Sequence, residues 1–246
     1  MPCPIAPSRW SIARPRRARP GAGTLPPCPA GHDPPSPCTG SPMSAAPRTL
    51  YNLGSGPRRL FRQLPDADAF EGWQEIRVDV DPDCRPDILA DLTDLRHAIP
   101  DGAAGMIYCS HVIEHFFDHD VSKVLAEFAR ILHPNGAAVM RLPDLAAVVR
   151  AFDEGDLERP LYQSPSGPIA ALDVIYGHRR SIEEGNAFMA HRTGFTEASL
   201  ARRLLAAGFD EVQTVPGPSV EFCALATMHQ TVFTKQVEVL LSYVNP

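Results

Sequence analysis

The chain has 246 residues, 44% of them hydrophobic and 21% charged, which is typical of one soluble domain of moderate size with an appendage. No apolar run resembles a membrane span or a signal peptide, so we expect neither. The net charge of −6 argues against nucleic acid as the main partner. The six cysteines form no C-x-x-C pair, which predicts reduced thiols in a cytoplasmic protein.

The composition changes near residue 47. Residues 1–47 hold half of the 26 prolines and five arginines, against a single acid, Asp33. Such a segment buries too little apolar surface to offset its ordering entropy. We therefore predict a disordered Pro/Arg-rich tail over 1–47 and a folded domain over 48–246. The alternative for the tail is an upstream start, with Met43 opening the natural protein.

Strands and helices alternate in the folded part. Apolar or alternating runs bounded by turn residues predict strands at 49–57, which runs into a glycine turn, and at 75–81, 86–92, 105–110 and 137–143. One helix is predicted at 121–132, with a left-handed cap at Asn135-Gly136. A second is predicted at 196–209, from Thr196 to a stop at Gly208, followed by a closing hairpin.

This alternation predicts an α/β fold with a doubly wound sheet. Residues 160–195 contain several glycines and prolines, and their apolar residues have neither the spacing of a helix nor that of a strand. We interpret them as a partly helical insertion, or lid, over the end of the sheet at which such folds bind ligands.

A glycine turn and an acid mark that end of the sheet. Gly54 and Gly56 follow the first strand, and glycines there allow the backbone to approach a ligand closely. Asp79 ends the second strand, where a carboxylate can accept both hydroxyls of a ribose, and Asp81 is the alternative. The G-x-G pair alone is equally consistent with a plain tight turn.

The stretch "HVIEH" (111–115) has the H-x-x-E-H form of a zinc-protease helix. It directly follows the predicted buried strand 105–110, however, so His111 is expected at a strand end that faces the ligand crevice. A zinc protease would also need a third ligand on a following helix and no upstream glycine turn. We therefore give the metal-hydrolase interpretation little weight.

Five segments occur in order between about residue 50 and residue 145: "YNLGSG", "VDVDP", "ADLTDL", "MIYCSHVIEHF" and "LAEFARILHPNGAAVMRLPDL". Together they resemble the class I S-adenosylmethionine-dependent methyltransferases, specifically the methyltransferase type 11 group. The resemblance implies a Rossmann-like, doubly wound, seven-stranded sheet, mostly parallel with one antiparallel strand. The sequence departs from the family pattern at Pro57 and in the stretch before Asp79, which is longer than in the family.

The resemblance also implies roles for particular residues. The methionine moiety of S-adenosylmethionine would lie along Leu53, Gly54, Ser55 and Gly56, the ribose at Asp79, the adenine at Asp91 and Leu92, and the sulfonium beside Cys109, Ser110 and His111. A nucleophile that must lose a proton needs a base, and His111 is the best-placed residue for that role.

"HVIEH" also resembles the "E-V-I-E-H" of small-RNA 2′-O-methyltransferases and certain quinone-precursor O-methyltransferases. In those proteins acids and histidines bind a divalent metal beside the acceptor hydroxyl. Here His111 stands in place of the first acid, which weakens a magnesium site because that ion prefers oxygen ligands. The sequence therefore favours no metal, with Glu114 and His115 satisfying backbone groups or each other.

The insertion supplies the candidates for substrate binding, namely His178, Arg179, His191 and Arg192, which lie among aromatic residues. Clustered imidazole and guanidinium groups suit an anionic or sugar-like acceptor. The alternative is a surface lid with solvated charges. The segment resembles a bacterial subgroup of these methyltransferases of undefined substrate.

The sequence thus predicts methyl transfer from S-adenosylmethionine to a small-molecule or saccharide-like acceptor, at oxygen. One alternative is a non-catalytic cofactor-binding protein of the same fold, and another is a metal-dependent hydrolase that uses His111, Glu114 and His115. A dehydrogenase fits less well, because the glycine turn lacks the G-x-G-x-x-G spacing.

Overall fold

The computed structural model describes residues 8–11, 46–151, 156–164 and 166–244. These residues contain ten strands, in chain order β1 (Ser8–Ser11), β2 (Thr49–Leu53), β3 (Gln74–Asp79), β4 (Ile88–Leu89), β5 (Ala104–Ser110), β6 (Leu132–Pro143), β7 (Pro160–Ser164), β8 (Gly167–Ala170), β9 (Glu211–Pro216) and β10 (Glu221–Thr227). Strands β7 and β8 form a separate hairpin, and the other eight form the main sheet.

The same residues contain six α-helices, in chain order α1 (Asp118–Ile131), α2 (Leu145–Ala151), α3 (Ala171–Tyr176), α4 (Arg179–Glu183), α5 (Glu197–Ala207) and α6 (Thr234–Val244). Short 3-10 turns lie at Leu60–Arg62, Ala67–Phe70, Pro82–Cys84, Ile113–His115 and Ala187–Met189. Among the described residues, no helix has the length and apolar character needed to cross a membrane.

The strand order of the main sheet is β1-β9-β10-β6-β5-β2-β3-β4. Strand β10 runs antiparallel to both of its neighbours, whereas β2, β3, β4, β5 and β6 pair in parallel. Without β1 this is the predicted seven-stranded sheet with one antiparallel strand, so the fold prediction is confirmed. The chain reverses its direction of travel across the sheet between β2 and β5, and open α/β sheets bind ligands at such a point.

Apolar layers cover both faces of the sheet. Helices α1 and α5 bury Val124, Phe128 and Leu204 against one face, and α6 buries Leu240 and Val244 against the other. The predicted insertion forms the β7–β8 hairpin followed by α3 and α4. It packs on the end of the sheet through a small apolar cluster of its own, made by Val148, Ile169, Ala171, Val174 and Val220.

The tail prediction does not hold for Ser8–Ser11. These four residues pair antiparallel with β9, and Arg9 Nε lies 2.8 Å from Glu211 Oε1. The run contains no proline, so its alternate backbone N–H groups can pair with the open edge that β9 would otherwise present. The other residues of the predicted tail, 1–7 and 12–45, lie outside the described residues.

The predicted cap of α1 is wrong. The helix ends at Ile131, and Asn135 and Gly136 belong to β6. The backbone of Gly136 does not have the positive φ of a left-handed cap. A Cβ on Gly136 would lie 2.6 Å from the backbone oxygen of Gly105. Glycine is needed there because two strands approach closely, not because a helix ends.

Three further elements differ from the sequence prediction. The strand predicted at 86–92 contains only Ile88–Leu89, and helices α2 and α6 lie in segments for which the sequence predicted no element. Helix α6 carries apolar side chains on one face only, which suits its position against the side of the sheet opposite α1.

We predict that Phe128→Ala lowers the free energy of unfolding by about 3–5 kcal/mol, because it removes a fully buried ring between α1 and the sheet. Chemical denaturation followed by circular dichroism measures this change. Val149→Ala is the control, since Val149 is 74% exposed and its truncation leaves no cavity. Equal midpoints for the two variants would contradict the packing described above.

Candidate functional site

The carboxyl ends of β2, β3, β4 and β5 border a cavity of about 490 Å³, here called the glycine-turn cavity. From the sheet side it is lined by Gly54, Gly56, Asp79, Asp91, Leu92 and His111, and from the far side by residues that include Phe117, Phe188, Met189 and Arg192. Six residues that the sequence predicted for the site therefore lie on its sheet-side wall. Its volume is within the range of about 300–1,000 Å³ that is usual for small-molecule sites.

The glycine turn has the conformation for which glycine is suited. Gly54 has φ +67 and donates its N–H to Val78 O at 2.8 Å. A Cβ on Gly54 would lie 2.3 Å from a methyl carbon of Val112, so no side chain fits there. Gly56 has φ +57 and donates its N–H to Asp79 Oδ2 at 2.8 Å, which ties the turn to the end of β3.

Two carboxylates line the same cavity. Asp79 Oδ1 accepts the N–H of Asp81 at 3.0 Å, so each oxygen of Asp79 has one backbone donor and one lone pair left for a ligand. Asp91 Oδ1 accepts the N–H of Thr93 at 2.9 Å and is fixed in the same way. Both can therefore accept hydrogen bonds from a polar ligand without a large rearrangement.

Four of the residues predicted to bind cofactor do not line the glycine-turn cavity. Leu53 and Cys109 are buried in the apolar core below it, and Ser55 and Ser110 line a separate cavity beside Tyr108 and Tyr243. Cys109 and Ser110 lie outside the cavity because successive side chains of a strand, here β5, project to opposite faces of the sheet. Ser110 and Tyr108 project to one face of the sheet, and Cys109 projects to the other.

His111 lies between two carboxylates. Its backbone has φ +54, a left-handed conformation that histidine adopts more readily than most residues. Nε2 lies 3.1 Å from Glu221 Oε2, and Nδ1 lies 3.4 Å from Glu114 Oε1. Burial favours the neutral ring, but the two carboxylates outweigh it and raise the pKa of His111 to about 9. His111 is therefore a cation at neutral pH.

Glu221, for which the sequence predicted no role, lies beside His111 at the end of the sheet. It begins β10 and forms an ion pair with Arg141 of the neighbouring strand β6, with Arg141 Nε 2.7 Å from Oε2. Burial would raise the pKa of Glu221, but His111 and Arg141 lower it below its usual value. An acid at the start of the otherwise apolar run "EFCALA" was the available signal.

A second cavity, of about 140 Å³, lies between the end of the sheet and the insertion. We call it the histidine cavity, because its lining includes His111, His115, His178 and His191, together with Asp173, Glu221, Tyr162 and Met189. His111, His115 and Met189 line the glycine-turn cavity as well. The two cavities therefore adjoin at these three side chains.

The predicted substrate-binding residues separate into three groups. His178 and His191 line the histidine cavity, and Arg192 lines the glycine-turn cavity, where its guanidinium lies 4.6 Å from the ring centre of Phe117. Arg179 lines neither cavity. It bonds to Asp173 at 3.0 Å, which lowers the pKa of Asp173 against the effect of burial.

Glu114 and His115 occupy the 3-10 turn after His111. The backbone oxygen of Glu114 accepts the N–H groups of Arg192 at 2.8 Å and Thr193 at 3.1 Å. The Glu114 side chain is 1% exposed, and neither carboxylate oxygen has a hydrogen bond from any described residue. His115 Nδ1 lies 3.1 Å from Ala190 O. The prediction that Glu114 and His115 bond to backbone groups or to each other thus accounts for His115 Nδ1. It does not account for the carboxylate of Glu114.

Burial of the Glu114 carboxylate would by itself raise its pKa, but the neighbouring histidines, His111 first, bring the pKa below its usual value. The group is therefore ionised inside the protein. His191 shows the opposite effect, because burial lowers the pKa of its ring and keeps the imidazole neutral.

A family model described as a methyltransferase domain matches residues 52–140. No curated protein matches the chain by sequence. The chain is similar to the solved structure of a SAM-dependent methyltransferase from Archaeoglobus fulgidus, with 12% identity, 73% of this chain and 86% of that chain covered, and a TM-score of 0.48.

Two other solved structures are similar at the same level. A 1,6-didemethyltoxoflavin-N1-methyltransferase from Burkholderia thailandensis has 18% identity, with 72% of this chain and 69% of that chain covered and a TM-score of 0.42. A possible histamine N-methyltransferase from Thermotoga maritima has 13% identity, 74% and 82% coverage and a TM-score of 0.46. A likeness at this level carries no argument about the acceptor.

Proposed function

We propose that the chain, whose residues 52–140 match a methyltransferase-domain family model, transfers a methyl group from S-adenosylmethionine to a hydroxyl oxygen of a small molecule. The observation that carries the proposal is the junction of the two cavities at His111, His115 and Met189. A donor held in one cavity and an acceptor held in the other would meet there, shielded by the insertion. Methyl transfer requires such an in-line approach and exclusion of water.

The glycine-turn cavity suits the donor. When bound, S-adenosylmethionine supplies a methyl group on a sulfonium, whose carbon–sulfur bond breaks as a lone pair of the acceptor forms the new bond, leaving S-adenosylhomocysteine. We propose that the backbone at Gly54 and Gly56 borders the methionine moiety and that Asp79 accepts the ribose hydroxyls. Asp91 and Leu92 would border the adenine. All five residues line one continuous cavity, which supports this assignment.

The histidine cavity suits a small hydroxylated acceptor. Its volume of about 140 Å³ is close to the 150 Å³ of an engineered cavity that binds benzene, so it accommodates one six-membered ring. Its imidazole and carboxylate groups, which include His178 and Glu221, can bond to hydroxyls on an aromatic or sugar-like ring. A hydroxyl must lose its proton before or during methylation, and this lining offers proton acceptors that a neutral amine would not need.

We further propose that His111 receives the acceptor's proton, with Glu221 as its partner. Two histidines, His111 and His115, line both cavities, and His111 is the one with a hydrogen bond to the carboxylate of Glu221. The raised pKa makes its neutral form a strong proton acceptor but a minor species, so the proton on Nε2 must first pass to solvent.

We predict that Asp79→Ala weakens binding of S-adenosylmethionine by at least about tenfold, because a hydrogen bond to a charged acceptor contributes about 1.5–3 kcal/mol. Isothermal calorimetry with S-adenosylmethionine and S-adenosylhomocysteine measures the change. Asp68→Ala is the control, since Asp68 is exposed and lies outside the cavity. Absence of binding to the unmodified chain would overturn the proposed donor site, and equal affinity in Asp79→Ala would overturn the role of Asp79.

Matched alcohols and amines test the acceptor atom. We expect phenol, catechol or glucose to support release of S-adenosylhomocysteine and the corresponding amines, aniline and glucosamine, to support less. Mass spectrometry of the product mixture measures both the released S-adenosylhomocysteine and the methylated compound. Turnover with the amines alone would count against oxygen as the acceptor atom.

For His111 we predict that His111→Asn lowers kcat by about 10²–10⁴-fold, the usual contribution of a proton-transfer group, in a chain that remains folded. Asparagine also tolerates the left-handed backbone of this position, whereas alanine would add strain. His119→Asn serves as the comparison, because His119 is 75% exposed on α1. An unchanged kcat in His111→Asn would remove this residue from the proton-transfer step.

A further inference from the structure

Glu114, His115 and His191 bring three potential metal ligands together. One carboxylate oxygen and one ring nitrogen from each histidine all lie within 4.8 Å of one another. Bond lengths of about 2.0–2.2 Å imply separations of about 3–4 Å between ligands of one ion, so only a small contraction is needed. From this geometry we propose that Glu114, His115 and His191 bind a divalent transition-metal ion between the sheet and the insertion.

The carboxylate of Glu114 is the first support for the site. It is almost fully buried, and neither oxygen accepts a hydrogen bond within the described part of the chain. An ionised carboxylate removed from water costs several kcal/mol unless it is paired and hydrogen-bonded. The contact with His111 at 3.4 Å engages one oxygen as an ion pair and leaves the other without a partner. A bound cation would satisfy both.

Each of the two histidines has one ring nitrogen bonded to a backbone carbonyl, which leaves the other nitrogen for a metal. His115 Nδ1 lies 3.1 Å from Ala190 O, and His191 Nδ1 lies 2.9 Å from Val174 O. A carbonyl oxygen only accepts, so the hydrogen of each neutral ring must be on Nδ1. Nε2 of each ring then has its lone pair free. Metal-binding histidines almost always donate their other N–H to a carbonyl or carboxylate in this way.

The backbone fixes the distance between the ligands. The Glu114 carbonyl oxygen accepts the N–H groups of Arg192 and Thr193, and the N–H of His191 bonds to Tyr176 O at 3.0 Å. These bonds hold the segment that carries His191 against the turn that carries Glu114 and His115. The site is thus preorganised by contacts that do not involve its ligand atoms.

The ligand set indicates the class of metal. Two imidazoles and one carboxylate suit zinc, iron(II), cobalt(II) or manganese, whereas magnesium and calcium prefer oxygen ligands. Three protein ligands leave at least one coordination position open, as in catalytic zinc sites. His115 and His191 both line the histidine cavity, so an ion held by them would be accessible from that cavity. Coordination of an acceptor hydroxyl would lower its pKa and ease the passage of its proton to His111.

The role toward the acceptor rests on the proposed function, but the metal site itself does not. The test uses the untagged full chain, since a polyhistidine tag would bind the same metals, after removal of metal with a chelator. Cobalt(II) is the probe, because its visible absorption reports both binding and coordination geometry. We expect one equivalent of Co²⁺ per chain that millimolar Mg²⁺ does not displace.

The variants Glu114→Gln, His115→Ala and His191→Ala should each lose this equivalent. Loss of an outer-shell partner already weakens metal binding by about 10- to 100-fold, and loss of a ligand weakens it more. His178→Ala is the matched control, because His178 lines the same cavity but is not one of the three residues whose ligand atoms lie within 4.8 Å of one another. It should keep the Co²⁺ spectrum of the unmodified chain.

Binding of S-adenosylmethionine, measured on the same samples, separates this proposal from the previous one. A chain that binds Co²⁺ but no S-adenosylmethionine keeps the metal site and loses the proposed function. Absence of specific Co²⁺ binding, or a spectrum unchanged in the three ligand variants, overturns the metal site. If Glu114→Gln does not fold, His191→Ala decides the question, because His191 belongs to the insertion and lies outside the main core.

Discussion

The buried carboxylate of Glu114 is the constraint on which the arrangement of this site depends. A charge held away from water must be compensated locally, and the compensation here comes from imidazoles supplied by two separate parts of the chain. The left-handed backbone of His111 is part of this arrangement. It costs on the order of 1–2 kcal/mol, and it places one ring between the carboxylates of Glu114 and Glu221.

The part of the site that lies on consecutive strands could be predicted from the sequence. In a parallel sheet the carboxyl ends of neighbouring strands meet at one edge, so a glycine turn after β2 and an acid at the end of β3 must lie near each other. The bond from Gly56 N to Asp79 Oδ2 shows how close they are. The prediction was less accurate for Cys109 and Ser110, because a strand sends successive side chains to opposite faces of the sheet.

The rest of the site depends on contacts between distant residues, which no local pattern encodes. His111 and Glu221 are 110 positions apart, and His115 and Ala190 are 75 apart. The dependence on contacts between distant residues also explains why the predicted cap of α1 was wrong. Asparagine followed by glycine is a common helix end, but here Gly136 serves the close approach of β6 to Gly105, which becomes visible only when both strands are present.

The two cavities differ in how they are built, and this difference bears on how the protein chooses its acceptor. Turns and loops that follow the strands form most of the glycine-turn cavity, whereas residues of the insertion, such as His178 and His191, form much of the histidine cavity. Substitutions at insertion residues that line only the histidine cavity, such as His178, could therefore change the acceptor without changing donor binding. The exception is the segment that contains Arg192 and Thr193, whose N–H groups bond to Glu114 O. A movement of the insertion that broke these two bonds would also move His191 away from Glu114. Under the proposed function and the proposed metal site, entry of an acceptor and completion of the metal site would thus be coupled through one backbone carbonyl.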